Sequence, residues 1–267
     1  MNNVDNLTVA GFGQEWEAFD QSELTAEDRR ALFDAYFAVF PFELLPADAE
    51  GFDLGCGSGR WAAMMTERVG VLHCIDPSRK ALEVARRNVP NARFHLADAQ
   101  SIPLAAESQD FGYSLGVLHH IPDPQSALDA AVRKLKANAP FLLYAYYALD
   151  NRPRWYRSLW KASDALRRGI SRLPFPAKKA VTNFIAFAVY WPLSRASRLF
   201  GRNFPLHAYR NAGMYRLKTD ALDRFGTRLE QRFTKEELKR MMEKAGLARI
   251  RFSEEMPYWT AVGFKDF

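Results

Sequence analysis

Cysteine is scarce in this chain, and its scarcity excludes one class of small scaffolds. The 267 residues include two cysteines, Cys56 and Cys74, which are too few for a disulfide framework and lack zinc-site spacing. A reducing compartment suits this composition. We therefore predict a cytoplasmic protein with no bound metal.

Long hydrophobic runs are also missing. The longest, Phe184–Leu193, is far shorter than the roughly 20 residues that a transmembrane helix needs. The first residues, MNNVDNLTVAGFGQEW, place no basic segment before an apolar one, so we expect no secretory signal. Since 48% of the residues are hydrophobic, the chain can nevertheless form a folded core.

Acidic residues are nearly absent from one segment of the chain. Between Arg152 and Arg210 there are 13 Lys or Arg and one acid, Asp164, whereas the rest has 24 basic and 30 acidic residues. This asymmetry indicates an anionic partner, such as a substrate, a membrane surface or a nucleic acid. The plainer interpretation is a helical cap with a solvated basic face.

Short strand-like runs alternate with helical stretches over the first 150 residues, which predicts an α/β protein with a parallel sheet. After residue 150 the strand pattern stops, and a helix at Thr234–Gly246 precedes two final strand-like runs. The sheet is therefore interrupted by an insertion. The predicted strands are Gly51–Leu54, Val71–Ile75, Ala92–Leu96, Phe111–Leu115, Phe141–Tyr147, Arg249–Ser253 and Tyr258–Lys265.

The most informative stretch is GFDLGCGSGRWA, at Gly51–Ala62. A hydrophobic strand ends at Leu54, glycines follow at 55, 57 and 59, and a helix is predicted from Arg60 to Val69. Glycines at such a turn allow a sharp bend and the close approach of a ligand to the main chain. The helix N-terminus that follows favours a negatively charged group.

Acidic residues end the next two strands. Asp76 is suited to accept hydrogen bonds from a ribose diol, and Asp98 to meet an adenine amino group. Gly116 follows the fourth strand at the same edge of the sheet. The dinucleotide fingerprint also fits Gly57, Gly59 and Ala62 by letter, so an NAD-dependent oxidoreductase stays an alternative.

Together these motifs resemble those of the class I S-adenosylmethionine (SAM)-dependent methyltransferases. DLGCGSG is similar to their first motif, CIDPS to the second, LADAQSIPL to the third and DFGYSLGVLHHIPD to the fourth. The resemblance covers about residues 48–147 and 234–265. It implies a Rossmann-like, mostly parallel seven-stranded sheet with an antiparallel last strand, helices on both faces and a mainly helical insertion after strand 5. It also implies that SAM is the cofactor. The expected cofactor-binding residues are Trp16, Asp53, Gly55, Cys56, Gly57, Asp76, Pro77, Ser78, Asp98, Ala99, Leu115 and Gly116.

Three regions are expected along the chain. Residues 1–47 form an N-terminal helical segment, whose Trp16 would help to cover the cofactor. Residues 48–150 and 231–267 form the SAM-binding domain. Residues 151–230 form a basic, aromatic-rich helical insertion that would cap the acceptor.

The candidate acceptor-side residues are His119, His120, Tyr209, Arg210 and Tyr215. A histidine after the fourth strand can act as a general base, because imidazole titrates near neutral pH. The alternative is that both histidines pack and bond to backbone. The insertion residues would line the acceptor pocket, or else satisfy one another and cap short helices.

The sequence thus predicts methyl transfer to a small-molecule or lipid- or nucleotide-linked acceptor, with O-, N- or C-methylation unresolved. Segment 152–205 suits peripheral contact with the inner face of a membrane. A nucleic-acid partner is disfavoured, because the basic residues alternate with core-sized apolar ones. The alternatives are the oxidoreductase, an RNA methyltransferase and a non-catalytic adaptor at a membrane surface.

Overall fold

A seven-stranded sheet organises the larger part of the chain. The computed structural model describes residues 3–200 and 204–266. Two compact units are present: one contains the described residues up to Gln21, Thr25–Ala148 and the chain from Leu229 onward, and the other contains Ser22–Leu24 and Leu149–Arg228. We refer to them as the sheet unit and the helical unit.

The strand order is β3-β2-β1-β4-β5-β7-β6. The first five strands run parallel, and β7 lies antiparallel between β5 and β6. This arrangement confirms the predicted Rossmann-like sheet with an antiparallel last strand. The strands are β1 Glu50–Leu54, β2 Val71–Asp76, β3 Arg93–Leu96, β4 Phe111–Leu115, β5 Pro140–Tyr144, β6 Leu247–Phe252 and β7 Ala261–Lys265.

Helices cover both faces of this sheet. Strands β4 and β5 are buried along their whole length, as expected for parallel strands packed on both sides. One core forms between the sheet and α2 to α4, and the other between the sheet and α5 and α10. The helices of the sheet unit are α1 Asn6–Ala18, α2 Ala26–Tyr36, α3 Ala62–Met65, α4 Arg79–Asn88, α5 Pro124–Val132 and α10 Lys235–Lys244.

Side-chain caps fix the starts of α4 and α10. Ser78 caps α4 by accepting a hydrogen bond from the Ala81 amide, and Thr234 and Glu237 form a complete capping box at α10. The helix predicted over Arg60–Val69 is instead short. The hydroxyl of Thr66 donates to the carbonyls of Ala62 and Ala63, and such side-chain bonds compete with continuation of a helix.

The last predicted strand is also shorter than expected. The amide and hydroxyl of Thr260 both bond to the carbonyl of Pro257, which forms a turn over the first residues of the predicted run. Strand β7 therefore begins after this turn. Strand β5 likewise ends before Tyr147, which instead pairs with Phe233 in an isolated parallel bridge.

The described residues of the helical unit form four α-helices around a small core. Helix α9, Met214–Gly226, packs against α6 Arg154–Ile170 and α7 Phe175–Ile185, and a π-helical turn at Ala186–Tyr190 joins α7 to α8 Trp191–Phe200. The core residues are Ala186, Tyr190, Ala212, Leu217, Ala221 and Phe225. In the described part of the chain, no helix is both long enough and apolar enough to span a bilayer.

A buried ion pair joins α6 to the end of α9 within this unit. Arg167 donates to Asp164 at 2.7 Å and to the carbonyls of Thr227 and Arg228 at 2.9 Å. Burial alone would raise the pKa of Asp164, but the hydrogen bond and charge of Arg167, with help from Arg168, hold that pKa below its ordinary value. The buried face of α6 is therefore polar and depends on complete pairing.

We expect Asp164→Asn to destabilise the helical unit by about 3–5 kcal/mol, because it leaves a buried guanidinium without its counter-ion. Hydrogen exchange over 154–170 and urea unfolding measure the loss. The difference from wild type should shrink as the pH falls below the ordinary aspartate pKa, since a lowered folded-state pKa stabilises only above that range. The control Glu243→Gln removes an exposed ion pair and should change stability by less than about 0.5 kcal/mol. Equal stability of wild type and Asp164→Asn would contradict this account.

Candidate functional site

Three glycines form the turn that follows β1. Gly55, Gly57 and Gly59 have φ angles of +80°, +54° and +78°, which other residues rarely adopt. The amide of Gly55 donates a 2.7 Å hydrogen bond to the carbonyl of Ile75 in β2. The turn is therefore fixed to the carboxyl end of the neighbouring strand, the edge at which open α/β sheets bind ligands.

Asp76, the last residue of β2, is held by two backbone donors. Its Oδ2 accepts from the Gly57 amide at 2.9 Å, and its Oδ1 accepts from the Ser78 amide at 2.8 Å. Burial raises the pKa of this carboxyl to about 6, although the two N–H donors oppose the shift. Each oxygen still has lone-pair capacity for a further donor. The arrangement suits a ligand with adjacent hydroxyl groups.

Asp53 lies within β1, two residues before the turn, and is buried. Neither of its carboxylate oxygens has a hydrogen-bond partner among the described residues. Burial raises the pKa of Asp53 to about 8, and the charge of Asp76 raises it further. The nearby Tyr113 hydroxyl opposes this rise, although it lies outside hydrogen-bond geometry. The carboxyl is therefore mostly protonated at neutral pH.

Asp98 and Ala99 follow β3 at the same edge of the sheet. Oδ1 of Asp98 accepts from the amides of Gln100 and Ser101, at 2.8 and 2.9 Å, and from the Ser101 hydroxyl at 2.9 Å. These bonds form a tight turn and use one oxygen of the carboxylate. A ligand donor could therefore bond to Oδ2 without disturbing the turn. Ala99 is buried.

Gly116 faces open space after β4. Its φ is +81°, and its amide donates to the carbonyl of Tyr144 at 2.9 Å. Apart from its chain neighbours, no described heavy atom lies within 4 Å of the position that a Cβ would take here. Leu115 beside it is buried. This cradle can accept a ligand group against the main chain.

The remaining predicted cofactor residues lie along the same edge. Cys56 is buried within the glycine turn as a free thiol, and its interaction with Cys74, together with burial, raises the pKa of that thiol. A protonated thiol is a poor nucleophile, so Cys56 fits a packing role. Pro77 is exposed, and Ser78 is the buried cap of α4.

Helix α1 brings an aromatic side chain onto the glycine turn. A Cβ at Gly13 would lie 2.6 Å from the Ser78 hydroxyl oxygen, so glycine permits α1 to approach α4. The indole nitrogen of Trp16 lies 2.8 Å from the position that a Cβ of Gly57 would take. The Arg60 guanidinium is 5.6 Å from the centroid of the Trp16 ring, within cation–π range.

His119 and His120 form a buried aromatic cluster after β4. The His119 ring stacks on Tyr146 at 3.8 Å between centroids, and the Tyr146 amide donates to His119 Nδ1 at 3.4 Å. His120 Nδ1 bonds to the carbonyl of Leu229 at 2.7 Å. Because His119 Nδ1 accepts a hydrogen bond, its proton belongs on Nε2, which has no partner among the described residues.

Burial lowers the pKa of His119 well below its ordinary value, and the nearby charges of His120 and Arg232 act in the same direction. The ring is therefore neutral at physiological pH. With Nδ1 occupied, His119 presents an N–H donor rather than a free basic nitrogen. This geometry favours a role in holding an acceptor oxygen or a water molecule.

The other three predicted acceptor residues belong to the helical unit. Tyr209 packs against Tyr190 at 5.9 Å, and Arg216 lies 5.3 Å from its ring centroid. The Arg210 carbonyl accepts from Arg195 at 2.7 Å, and Tyr215 is in the first turn of α9. These contacts join residues of the helical unit to one another, and the roles of all three residues toward an acceptor stay predictions.

Sequence reasoning did not identify several residues of this site. Tyr113 beside Asp53 and Tyr146 against His119 lie in or just after buried strands, where their type indicates core packing. Arg60 carries no motif of its own. The spacing of Gly13 and Trp16 in one helix offered a signal, but the contact with Ser78 requires the folded chain. In the described residues, no group of three or more His, Cys, Asp or Glu is arranged to hold a metal ion.

A family model described as a methyltransferase domain matches residues 52–143. An uncharacterized methyltransferase of Bacillus subtilis is 30% identical over 110 residues, which cover 39% of this chain and 44% of the relative. The ubiquinone biosynthesis O-methyltransferase of Alkalilimnicola ehrlichii is 31% identical over 109 residues, 39% of this chain and 43% of the relative. The trans-aconitate 2-methyltransferase of Variovorax paradoxus is 30% identical over 123 residues, which cover 45% of this chain and 46% of the relative. The chain thus spans less than half the length of these relatives.

Solved structures share the fold over nearly the whole chain. Magnesium protoporphyrin IX methyltransferase from Synechocystis PCC 6803, with bound SAH, superposes with a TM-score of 0.54 at 12% identity, covering 97% of this chain and 96% of that one. A SAM-dependent methyltransferase from Thermotoga maritima gives a TM-score of 0.51 at 16% identity, with 95% and 100% coverage. At these identities the likeness concerns the fold alone.

The raised pKa of Asp53 predicts a pH-dependent stability. A carboxyl with a folded pKa of about 8 favours the folded state most below its unfolded pKa of 3.8, and this contribution is lost as the pH rises toward 8. We expect wild type to lose up to about 1.4 kcal/mol of unfolding free energy per pH unit in that window relative to Asp53→Asn. Urea unfolding between pH 4 and 9 measures the slopes. Glu43→Gln, at an exposed position, should follow wild type; parallel curves for Asp53→Asn and wild type would refute the assignment.

For His119 we expect a neutral imidazole with its proton on Nε2 throughout the pH range in which an exposed histidine titrates, because burial opposes the charged form. Nitrogen-15 NMR of histidine-labelled protein reports both tautomer and titration, and a His119→Gln variant assigns the signal. A titration midpoint near the ordinary value of about 6.5 would show that the ring is solvated.

Proposed function

We propose that the sheet unit of this chain is a class I SAM-dependent methyltransferase domain, and that the protein transfers a methyl group from SAM to a small-molecule or lipid-linked acceptor. The observation that carries this proposal is the pairing of the Gly57 amide with the Asp76 carboxylate at the carboxyl edge of the sheet. It joins a turn able to receive an amino-acid group to an acid able to receive a ribose diol.

The residues at this edge fit SAM in three parts. The turn at Gly55, Cys56 and Gly57 would receive the amino-acid part against the main chain. Asp76, with Pro77 and Ser78, would hold the ribose. Oδ2 of Asp98 could accept a hydrogen bond from the adenine amino group. The residues that would contact the adenine are Asp98, Ala99, Leu115 and Gly116.

Two further residues would support the bound cofactor. Trp16 lies on the glycine turn and would cover the cofactor from the side of α1. Asp53 would be a buried, neutral carboxyl in the strand that leads to the turn rather than a charged ligand. SAM supplies an electrophilic methyl group on a sulfonium, so the chain has to bind, orient and shield rather than activate the donor.

On the acceptor side, His119 is the best-supported residue of the sheet unit. Its Nε2–H is buried and has no partner among the described residues, and His119 lies shortly after β4, which ends at Leu115. An acceptor oxygen or a water held by this donor would be oriented toward the methyl group. The finer roles that we propose are acceptor binding by His120, Tyr209, Arg210 and Tyr215.

The two acids distinguish this proposal from the oxidoreductase. The dinucleotide fingerprint includes an acid near the position of Asp76 but requires none at the position of Asp98. The relatives named for ubiquinone biosynthesis and trans-aconitate methylation also support a small-molecule acceptor rather than RNA. The acceptor itself and the methylated atom are outside this proposal.

We expect S-adenosylhomocysteine to bind in the micromolar range by calorimetry and NAD not to bind. Asp76→Asn should weaken binding by about ten- to a hundredfold, because it removes charge-assisted hydrogen bonds from the ribose. Wild-type affinity should also fall by about tenfold per pH unit below about 6, since the carboxylate that accepts these bonds becomes protonated.

The matched control is Glu83→Gln, an exposed acid on α4 away from the turn, which should bind like wild type. Binding of NAD in place of S-adenosylhomocysteine would overturn the cofactor assignment. A wild-type affinity with no pH dependence between 5 and 7 would remove Asp76 from the ribose site.

A further inference from the structure

Large apolar side chains are unusually exposed in the helical unit. Outside this unit, the described chain exposes few of them, and within it they concentrate on α6, α8 and the segment that joins α7 to α8. A concentration of exposed apolar side chains of this kind indicates an interaction site. The exposed residues are Trp155, Leu159, Leu166, Leu173, Phe184, Phe187, Val189, Trp191, Leu199 and Phe200.

Helix α6 has its polar and apolar faces reversed relative to an ordinary surface helix. Trp155, Leu159 and Leu166, spaced four and seven residues apart, form one stripe, and they are 54%, 52% and 62% exposed. The opposite face buries the ion pair of Asp164 and Arg167. The outward side of α6 thus carries an apolar stripe, whereas its two buried side chains, Asp164 and Arg167, are charged and paired with each other.

The chain from α7 into α8 has a second stripe. Phe184, Phe187 and Trp191 follow at intervals of three and four residues, and the rings of Phe187 and Trp191 stack at 6.4 Å. Their exposed fractions are 69%, 65% and 45%. Leu199 and Phe200 extend the exposed apolar surface to the end of α8.

The charge around the first stripe has one sign. Exposed basic residues flank it along α6 and just beyond, and the single acid between 151 and 205, Asp164, is buried in its ion pair. The surface of α6 thus offers cations and apolar groups with no exposed acid. The basic residues are Arg154, Arg157, Lys161, Arg168 and Arg172.

We propose that the α6 stripe and the Phe184–Trp191 stripe form a surface that binds the headgroup region of an anionic lipid bilayer. Aliphatic and aromatic side chains would enter the boundary between headgroups and acyl chains, with the tryptophans at the interface, while Arg and Lys meet lipid phosphates. An anionic bilayer therefore matches both the exposed apolar side chains and the positive charge of this surface.

Other occupants match less well. A second copy of this chain would bring two basic α6 faces together, and like charges oppose that contact. A nucleic acid would satisfy the charges but has no use for exposed Leu, Phe and Val. This proposal concerns the helical unit alone and does not depend on methyl transfer.

The test is co-sedimentation of the full chain with vesicles of phosphatidylcholine alone or with a large fraction of phosphatidylglycerol. We expect binding to the anionic vesicles that weakens with salt. The triple variant Trp155→Ser/Leu159→Ser/Leu166→Ser should bind at least about tenfold more weakly, because less apolar area enters the bilayer. Arg154→Gln/Arg157→Gln/Lys161→Gln should lose about a hundredfold on anionic vesicles.

The matched control is Leu44→Ser, an apolar side chain that is 62% exposed on the sheet unit, and it should bind vesicles like wild type. Calorimetry with S-adenosylhomocysteine shows whether each variant is folded and separates failure here from failure of the cofactor assignment. Absence of binding to anionic vesicles at low salt would overturn the proposal. So would a wild-type dimer in sedimentation equilibrium that the apolar triple variant abolishes.

Discussion

The hydrogen bond from the Gly57 amide to the Asp76 carboxylate is the contact on which the organisation of the site depends. It connects the turn after β1 to the end of β2, and the same carboxylate also accepts the amide of Ser78 at the start of α4. Because the carboxylate is buried, these two donors are what keep its charged form accessible near neutral pH. The turn, the strand end and the helix cap are therefore one hydrogen-bonded assembly.

That assembly rests on a buried layer with little capacity for charge. Asp53, Tyr113 and Cys56 are close enough to influence one another's pKa values, and burial favours the neutral form of each. Because these three side chains are neutral, Asp76 is the negative charge nearest the turn. The sheet thereby offers one acid to a ligand while the acid in β1 stays protonated, which limits repulsion between two carboxyls on neighbouring strands.

The sheet was predictable because buried parallel strands form short apolar runs in the sequence and the glycine turn has a distinct pattern. The short α3 was not, since its end depends on the Thr66 hydroxyl competing for helix carbonyls. The approach of α1 to α4 at Gly13 and the stacking of Arg60 on Trp16 are long-range contacts, which local patterns do not encode. The basic character of segment 152–205 was evident from composition, but its apolar stripes required knowing that α6 buries Asp164 and Arg167.

The two ends of the helical unit leave the sheet unit from a single place. The Ala148 amide donates to the carbonyl of Phe233, the Phe233 amide donates to Tyr146, and the Gln231 amide donates to the carbonyl of His119. The outgoing and returning chains are thus paired beside the histidine whose Nε2–H has no partner among the described residues.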